Sequence, residues 1–250
     1  MTKLMTGDAK VISWFSCGVS SAIATKLAVD QLGCKNVLYI DIDDAHPDNE
    51  RFIAECEDWY GLKIQRLRSA RYRSVDSVIT SQQAINFNGG APCTQFLKQR
   101  VRQLWESGQT GLSYVWGFDI NEKERADKRI DALPDYHHLF PLVERSITKE
   151  MAHGMLMASG IKRPVMYDLG FPNNNCIGCV RGGMGYWNLI RIHFPRVFAL
   201  MAKRERELGS SCITEKINGV KVKVFLDALD PNRGRGKIIV PDCGLFCEIQ

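Results

Sequence analysis

Short apolar segments alternate with helix-like segments over most of the chain, and this alternation constrains the fold more than any other feature of the sequence. Helices are predicted at residues 22–29, 48–60 and 148–159, with Asp48 as a cap and Gly61 as a stop. Alternating strands and helices form right-handed βαβ units, so the pattern predicts an α/β fold with a parallel sheet. The predicted strands are residues 11–15, 37–40, 62–66, 112–116 and 137–140.

Composition excludes several classes of protein. The 250 residues are 45% hydrophobic and 24% charged, which is typical of a globular chain with a full core rather than a disordered one. No apolar run approaches the roughly 18 residues that span a bilayer, and the N-terminal residues lack the apolar core of a signal peptide. We therefore expect a cytoplasmic protein with no membrane partner. The net charge of +5 suits an anionic ligand and a solvated surface equally well.

Cysteine is unusually frequent for a reducing compartment. The chain has nine cysteines, and an odd number without an export signal argues against a disulfide framework. Such residues indicate a metal site, catalysis or plain packing instead. They are Cys17, Cys34, Cys56, Cys93, Cys176, Cys179, Cys212, Cys243 and Cys247.

A run of small residues links the first predicted strand to the first predicted helix. Its backbone N–H groups could face a phosphate at the helix N-terminus, although a tight turn shaped by Gly18 gives the same pattern. The run resembles the PP-loop (Ser-Gly-Gly-x-Asp-Ser) of the adenine-nucleotide α-hydrolases. In this chain, Ser20 stands in place of the usual Asp, and Cys17 stands in place of a Gly. We expect Cys17 to be a packed thiol rather than a nucleophile. The run consists of Ser16, Cys17, Gly18, Val19, Ser20 and Ser21.

Acidic residues follow the second predicted strand. Asp41 and Asp43 could bind ribose hydroxyls or a metal, or could simply form a solvated loop ahead of a helix. The stretch around His46 and Pro47 resembles the segment Asp-Thr-Gly-x-x-Phe-Pro-Glu-Thr of the PAPS (3′-phosphoadenylyl sulfate) reductases. The nearby basic residues could contact phosphate, but we favour a solvated face. These are Lys63, Arg66, Arg68, Arg71 and Arg73.

Cys176 and Cys179 form a C-x-x-C pair, a spacing common to zinc and iron–sulfur sites, although a metal-free pair has the same spacing. The stretch at 167–179 resembles the Tyr-x-x-Gly-Phe-x-x-x-x-Cys-x-x-Cys segment of the PAPS/APS reductase family (APS, adenylyl sulfate). Cys93, with Thr94 and Lys98, resembles a second segment of that family. The resemblance implies that Cys93, Cys176 and Cys179 ligate a [4Fe–4S] cluster, with zinc as the alternative.

The C-terminal tail carries two further cysteines. The stretch from Asp242 to Phe246 resembles the Glu-Cys-Gly-Leu-His motif of the reductases, which implies that Cys243 is the nucleophile. Cys247 then becomes a candidate fourth metal ligand. Alternatively, Cys243 and Cys247 complete one four-thiolate site with the C-x-x-C pair, or the tail is disordered and its thiols are idle.

Polar residues also follow the fourth predicted strand. Gly117 is a candidate nucleotide contact, and Arg125 could reach an anion. Asp119 stands where the reductases have an Arg. Asp119 and Glu122 are more similar to the acidic motif of ATP-dependent tRNA thiolases, where carboxylates could hold Mg²⁺. A helix start that favours acidic residues gives the same pattern.

The resemblance covers most of the chain, from about residue 11 to residue 247. It implies one domain with a five-stranded parallel sheet of the HUP/PP-loop type: a nucleotide-binding core at about 8–163 and a Cys-bearing part at about 164–250 over the site. A helical stretch around 187–208, broken near Pro195, belongs to the second part.

Three functions stay open. The leading one is a sulfonucleotide-reductase-like oxidoreductase that converts APS or PAPS to sulfite with thioredoxin or a similar reductant. The second is an ATP-dependent iron–sulfur sulfurtransferase acting on nucleic acid. The third is a metal-stapled nucleotide- or nucleic-acid-binding module without catalysis. A homo-oligomer is compatible with each of them.

Overall fold

The sheet has the predicted strands. The computed structural model describes residues 10–87, 90–234 and 239–242. The five-stranded sheet has the order β3-β2-β1-β4-β5, and every neighbouring pair is parallel. The prediction of an α/β fold with five parallel strands is therefore confirmed. The strands are β1 (Lys10–Phe15), β2 (Asn36–Ile40), β3 (Ile64–Leu67), β4 (Leu112–Val115) and β5 (His137–Leu139).

Helices connect the strands. The predicted ones are α1 (Val19–Gln31), α2 (Asn49–Tyr60), α7 (Lys149–Ala158) and the pair α9 (Met184–His193) and α10 (Pro195–Leu208), which break at Pro195 as expected. No helix of the described ranges is both long enough and apolar enough to cross a membrane. The helices that were not predicted are α3 (Val75–Gln82), α4 (Arg100–Glu106), which follows a π-helical turn at Thr94–Gln99, α5 (Lys123–Ala132), α6 (Pro141–Glu144) and α8 (Val165–Asp168).

Asp48 precedes α2 as predicted, but its side chain does not cap the helix. Its carboxylate instead accepts hydrogen bonds from Arg51 Nε at 2.8 Å and from the backbone N–H of Val165 at 2.9 Å. The prediction of an Asp48 cap was therefore wrong. Because the Asp48 carboxylate accepts a hydrogen bond from Val165, it joins the start of α2 to the start of α8.

Three apolar clusters stabilise the structure. One packs α1, α2 and α7 on the sheet, and it includes the buried rings of Phe15 and Phe52. A second covers the other sheet face around Trp14 and Tyr114. The third surrounds Trp187, and it combines side chains from residues 42–97 with side chains from residues 166–229. The cysteine-bearing segments therefore pack against the segment that follows β3.

A two-stranded antiparallel hairpin follows α10. It consists of β6 (Ile213–Ile217) and β7 (Val220–Val224). Its turn residues Asn218 and Gly219 have φ of 51° and 82°, the left-handed values of a type I′ turn. Asn-Gly between two alternating segments is a hairpin signal, so this element could have been predicted from the sequence.

Candidate functional site

The loop between β1 and α1 lies at the carboxyl end of the central strand. The strand order reverses between β1 and β4, and ligands of open α/β sheets bind in the crevice at such a point. Within the loop, the Ser21 hydroxyl accepts hydrogen bonds from the backbone N–H groups of Ser16 at 3.1 Å and Gly18 at 3.3 Å. It donates to the carbonyl of Gly18 at 2.8 Å. Ser21 thereby gives the loop its shape.

Cys17 adopts φ of 59°, a left-handed conformation that L residues rarely adopt. Its side chain is fully buried in the core, and burial raises the pKa of the thiol well above its usual value. A buried, protonated thiol is a poor nucleophile. This agrees with the expectation of a packed thiol, and only the backbone of Cys17 belongs to the loop surface.

Two neighbours approach this loop closely. The Tyr167 hydroxyl accepts a hydrogen bond from the backbone N–H of Val19 at 3.3 Å. A Cβ on Gly117, just after β4, would lie 2.5 Å from the Cα of Ser21, so only glycine fits there. The loops after β1 and β4 therefore touch. A phosphate bound here would replace the Ser21 and Tyr167 hydroxyls as acceptors for the loop N–H groups.

The acidic residues after β2 are ion-paired. Buried Asp41 pairs with Arg68, whose Nε donates at 2.9 Å, and Asp43 pairs with Arg73 at 3.2 Å. A ribose or metal ligand would have to compete with these arginines. Arg66 and Lys63 pair with Glu50 and Glu57 in the same way, each at 2.6 Å.

Asp119 caps the start of the short 3-10 helix Ile120–Glu122, which leads into α5. Its Oδ1 accepts a hydrogen bond from the N–H of Asn121 at 2.8 Å, the geometry of an N-cap. Its side chain is buried, and burial raises the pKa of the carboxyl. Glu122 and Arg125 form an ion pair with each other. A Mg²⁺ role for Asp119 and Glu122, and an anion contact for Arg125, stay predictions.

Cys93, Cys176 and Cys179 line one cavity. The cavity has a volume of about 30 Å³, and Lys98 and Arg181 also line it. Burial and the charges of the other two cysteines raise the pKa of Cys93 to about 11. The pKa of Lys98 is raised, first of all by the charge of Cys176. The site therefore combines thiols with cationic side chains.

The three sulfur atoms do not converge on one point. In the described part of the chain, no group of three or more His, Cys, Asp or Glu side chains is arranged to hold a metal ion. The cavity therefore brings three thiols into one place but does not present a formed metal site.

The C-x-x-C loop is anchored at the same edge of the sheet as residues 16–21, which are called the phosphate loop here for their resemblance to the PP-loop. The N–H of Ile177 donates to the carbonyl of Asp44, just beyond β2, at 2.7 Å. The Tyr186 hydroxyl accepts from the N–H of Cys179 at 2.9 Å and donates to the carbonyl of Cys176 at 2.6 Å. Asp44 and Tyr186 thus hold both cysteines of the pair in position.

Asn174 links the two loops directly. Its side-chain amide donates to the backbone carbonyl of Cys17 at 2.5 Å and to Asn49 Oδ1 at 2.8 Å. The phosphate loop and the C-x-x-C loop therefore share a hydrogen bond. Nothing in the spacing around Asn174 or Tyr167 indicates these contacts, because each partner lies more than a hundred residues away in sequence.

Residues 239–242 pack near this site. Ile239 is buried in the same core as Tyr167, and the N–H of Asp242 donates to the carbonyl of Glu150 in α7 at 3.0 Å. Cys243 and Cys247 lie outside the described residues, so their predicted roles stay predictions. The same holds for the expectation that a cysteine-rich tail covers the site.

The fold is similar to that of a known enzyme. A crystal structure of phosphoadenylyl-sulfate (PAPS) reductase from Candida auris, in complex with phosphate, matches with a TM-score of 0.45 and 10% identity. The match covers 66% of this chain and 80% of that one. No family model and no curated protein matches the sequence. At this identity the similarity concerns the fold alone, and the chemistry must follow from this chain's own residues.

Proposed function

We propose that the protein binds an adenine nucleotide at residues 16–21 and performs thiol-dependent sulfur chemistry on it, as a sulfonucleotide-reductase-like oxidoreductase. One observation carries the proposal: the phosphate loop and the cysteine cavity lie at the same edge of the sheet and are joined through Asn174. A nucleotide whose phosphates occupy the loop would therefore bind beside the thiols of the cysteine cavity.

The phosphate loop would fix the nucleotide. The backbone N–H groups of Gly18 and Val19, at the N-terminus of α1, would donate to phosphate oxygens, and the helix dipole favours the negative charge. The first turn of α1 has no acidic residue that would repel the anion. Gly117 leaves space for the close approach of the two loops.

Cys243 would be the nucleophile. Its thiolate would attack the sulfur of APS or PAPS, form an S–S bond with the sulfonate, and release AMP or adenosine 3′,5′-bisphosphate. A dithiol such as thioredoxin would then release sulfite and leave as a disulfide, which returns the Cys243 thiol. The position of Asp242 supports this role, since the residue before Cys243 already contacts Glu150 in α7.

We further propose that the cysteine cavity holds a thiolate-bound group, a [4Fe–4S] cluster or alternatively Zn²⁺. The donor set fits, because thiolates are the ligands that both prefer, and Lys98 and Arg181 offset the negative charge of several thiolates. When bound, such a group would neutralise part of the negative charge of the thiolates at the edge of the sheet where the nucleotide binds.

Sulfite release tests the function. Anaerobically purified protein is incubated with APS or PAPS and reduced thioredoxin, and Cys243→Ser is compared with Cys34→Ser, a change in a buried cysteine distant from the cavity. We expect sulfite from the parent and from Cys34→Ser, and none from Cys243→Ser. Absence of sulfite from the parent would overturn the reductase proposal. Formation of AMP and pyrophosphate from ATP would instead favour the sulfurtransferase.

A further inference from the structure

Three lysines gather on one face of the β6–β7 hairpin. Side chains of a strand alternate between its two faces, and the register places Lys216 opposite Lys221 and Thr214 opposite Lys223. Lys223 is therefore the diagonal neighbour of Lys216. Opposite Cβ atoms of an antiparallel pair lie about 5 Å apart and diagonal ones about 7 to 8 Å apart. The three exposed lysines thus form one compact cationic patch, which we call the lysine face.

No acidic side chain offsets the charge of the lysine face. Glu215, the only acidic residue of the hairpin, lies on the other face and pairs with Arg233 at 2.5 Å. Within the described ranges, the side chains of Lys216 and Lys221 make no hydrogen bond or ion pair, and Lys223 donates only to a backbone carbonyl just after α10. Like charges directly opposite each other destabilise a sheet. The free protein therefore carries a repulsion that an anionic ligand would relieve.

The hairpin projects from the body of the protein. On the face opposite the lysines, the side chains of Ile217, Val220 and Val222 are 49%, 64% and 40% exposed, so this face does not pack on the core either. Ile213, at the base of the hairpin, is buried and anchors it. A two-stranded ribbon that is free on both faces is accessible to a large partner.

The composition and width of the ribbon favour DNA over other anionic partners. Lysine is depleted in protein–protein interfaces, whereas its flexible ammonium group is a common point-charge partner of phosphate. The major groove of B-form DNA is about 12 Å wide and admits a two-stranded β-ribbon. The corresponding groove of double-stranded RNA is too narrow for protein side chains to read. Duplex DNA therefore matches both the charge and the shape of the hairpin.

We propose that the lysine face of the β6–β7 hairpin binds the phosphate backbone of duplex DNA. The inference goes beyond the proposed function and does not depend on it. Contacts between lysine and phosphate position a protein on DNA without reading its sequence, so the binding is independent of sequence. It is also dependent on salt, because each phosphate that a lysine neutralises releases counterions into solution.

Fluorescence anisotropy tests the proposal. The full chain is titrated into a labelled DNA duplex of arbitrary sequence at a series of NaCl concentrations, and the parent is compared with a variant that carries Lys216→Gln, Lys221→Gln and Lys223→Gln. We expect the variant to bind at least about tenfold more weakly at low salt, and its slope of log affinity against log salt to be smaller by about 2 to 3.

A second triple variant has the same net charge and serves as the matched control. It changes three exposed or half-buried lysines that are ion-paired with carboxylates elsewhere on the surface, and it should bind DNA as the parent does. The changes are Lys26→Gln, Lys63→Gln and Lys128→Gln. Removal of the repulsion between Lys216 and Lys221 leaves the thermal unfolding temperature unchanged or raises it, so thermal unfolding separates loss of binding from loss of the fold.

Several results would overturn the proposal: no binding of the parent to DNA at low salt, equal affinity and slope in the parent and the hairpin variant, or an equal loss in the control variant. Binding of the parent to phosphatidylserine vesicles or to polyglutamate, but not to DNA, would identify a lipid surface or an acidic protein instead. DNA binding that depends on the lysine face without sulfite release would refute only the reductase, whereas sulfite release without DNA binding would refute only the lysine face.

Discussion

The imidazole of His153 packs edge-on against the ring of Tyr167, with 4.6 Å between the ring centroids and 85° between the ring planes. Neither ring nitrogen of His153 has a hydrogen-bond partner among the described residues, and the side chain is 2% exposed. The hydroxyl of the same Tyr167 holds the phosphate loop at Val19. An uncharged His153 is therefore part of the packing beneath the candidate nucleotide site.

This packing predicts loss of stability in mild acid. Burial lowers the pKa of His153 from 6.5 to about 4. Between those values the unfolded chain binds more protons than the folded one, so the free energy of unfolding falls as pH falls, by about 3 kcal/mol in total. His153→Phe removes this part of the pH dependence. Urea unfolding at a series of pH values measures this pH dependence. His137→Gln, a change at an exposed histidine, is the control. Equal pH dependence in His153→Phe and the parent would contradict the assignment.

Asn174→Ala tests the link between the two loops. Loss of the bonds to Cys17 and Asn49 frees the phosphate loop, and we expect nucleotide affinity to fall about fivefold to tenfold. Calorimetry with AMP and APS measures the change. Asn175→Ala, a change in the exposed adjacent residue, is the matched control and should bind as the parent does. Unchanged affinity in Asn174→Ala would show that the link does not position the loop.

Gly18→Val tests the nucleotide site itself. The backbone of Gly18 is extended, with φ of −107°, so valine is tolerated there, but a Cβ would already lie 3.3 Å from the Tyr167 hydroxyl. The added methyl groups would block the approach of a phosphate to the loop. We expect calorimetric binding of the nucleotide to be lost. Gly183→Ala, which adds a Cβ in open space, should leave it intact. Binding by Gly18→Val equal to that of the parent would place the nucleotide elsewhere.

Asp119 offers a test that separates a cap from a metal ligand. Asparagine caps a helix about as well as aspartate, so Asp119→Asn should unfold at nearly the same temperature as the parent, whereas Asp119→Ala should lose about 1 kcal/mol. Thermal unfolding compares them. If Asp119→Asn keeps its stability but loses Mg²⁺-dependent binding of ATP, the carboxylate holds a metal, as the acidic motif suggested.

The local pattern of the sequence determined the strands, their parallel arrangement, and the position of the phosphate loop ahead of α1. Strand and helix periodicity reflect burial of neighbouring residues, and a strand–small-residue–helix order places the loop at the carboxyl edge without knowledge of other contacts. The Asn218-Gly219 turn is an equally local signal, although the hairpin itself was not predicted. The limit was reached at Asp48, whose carboxylate follows a helix-capping pattern but binds Val165 instead.

Only the tertiary structure decided which distant residues meet at the site. Asn174 reaches the carbonyl of Cys17 and Asn86 reaches the carbonyl of Ser211, because the fold brings together segments that share no periodic signal. Sequence patterns record what each segment buries, but the partner of a buried polar group depends on the fold as a whole.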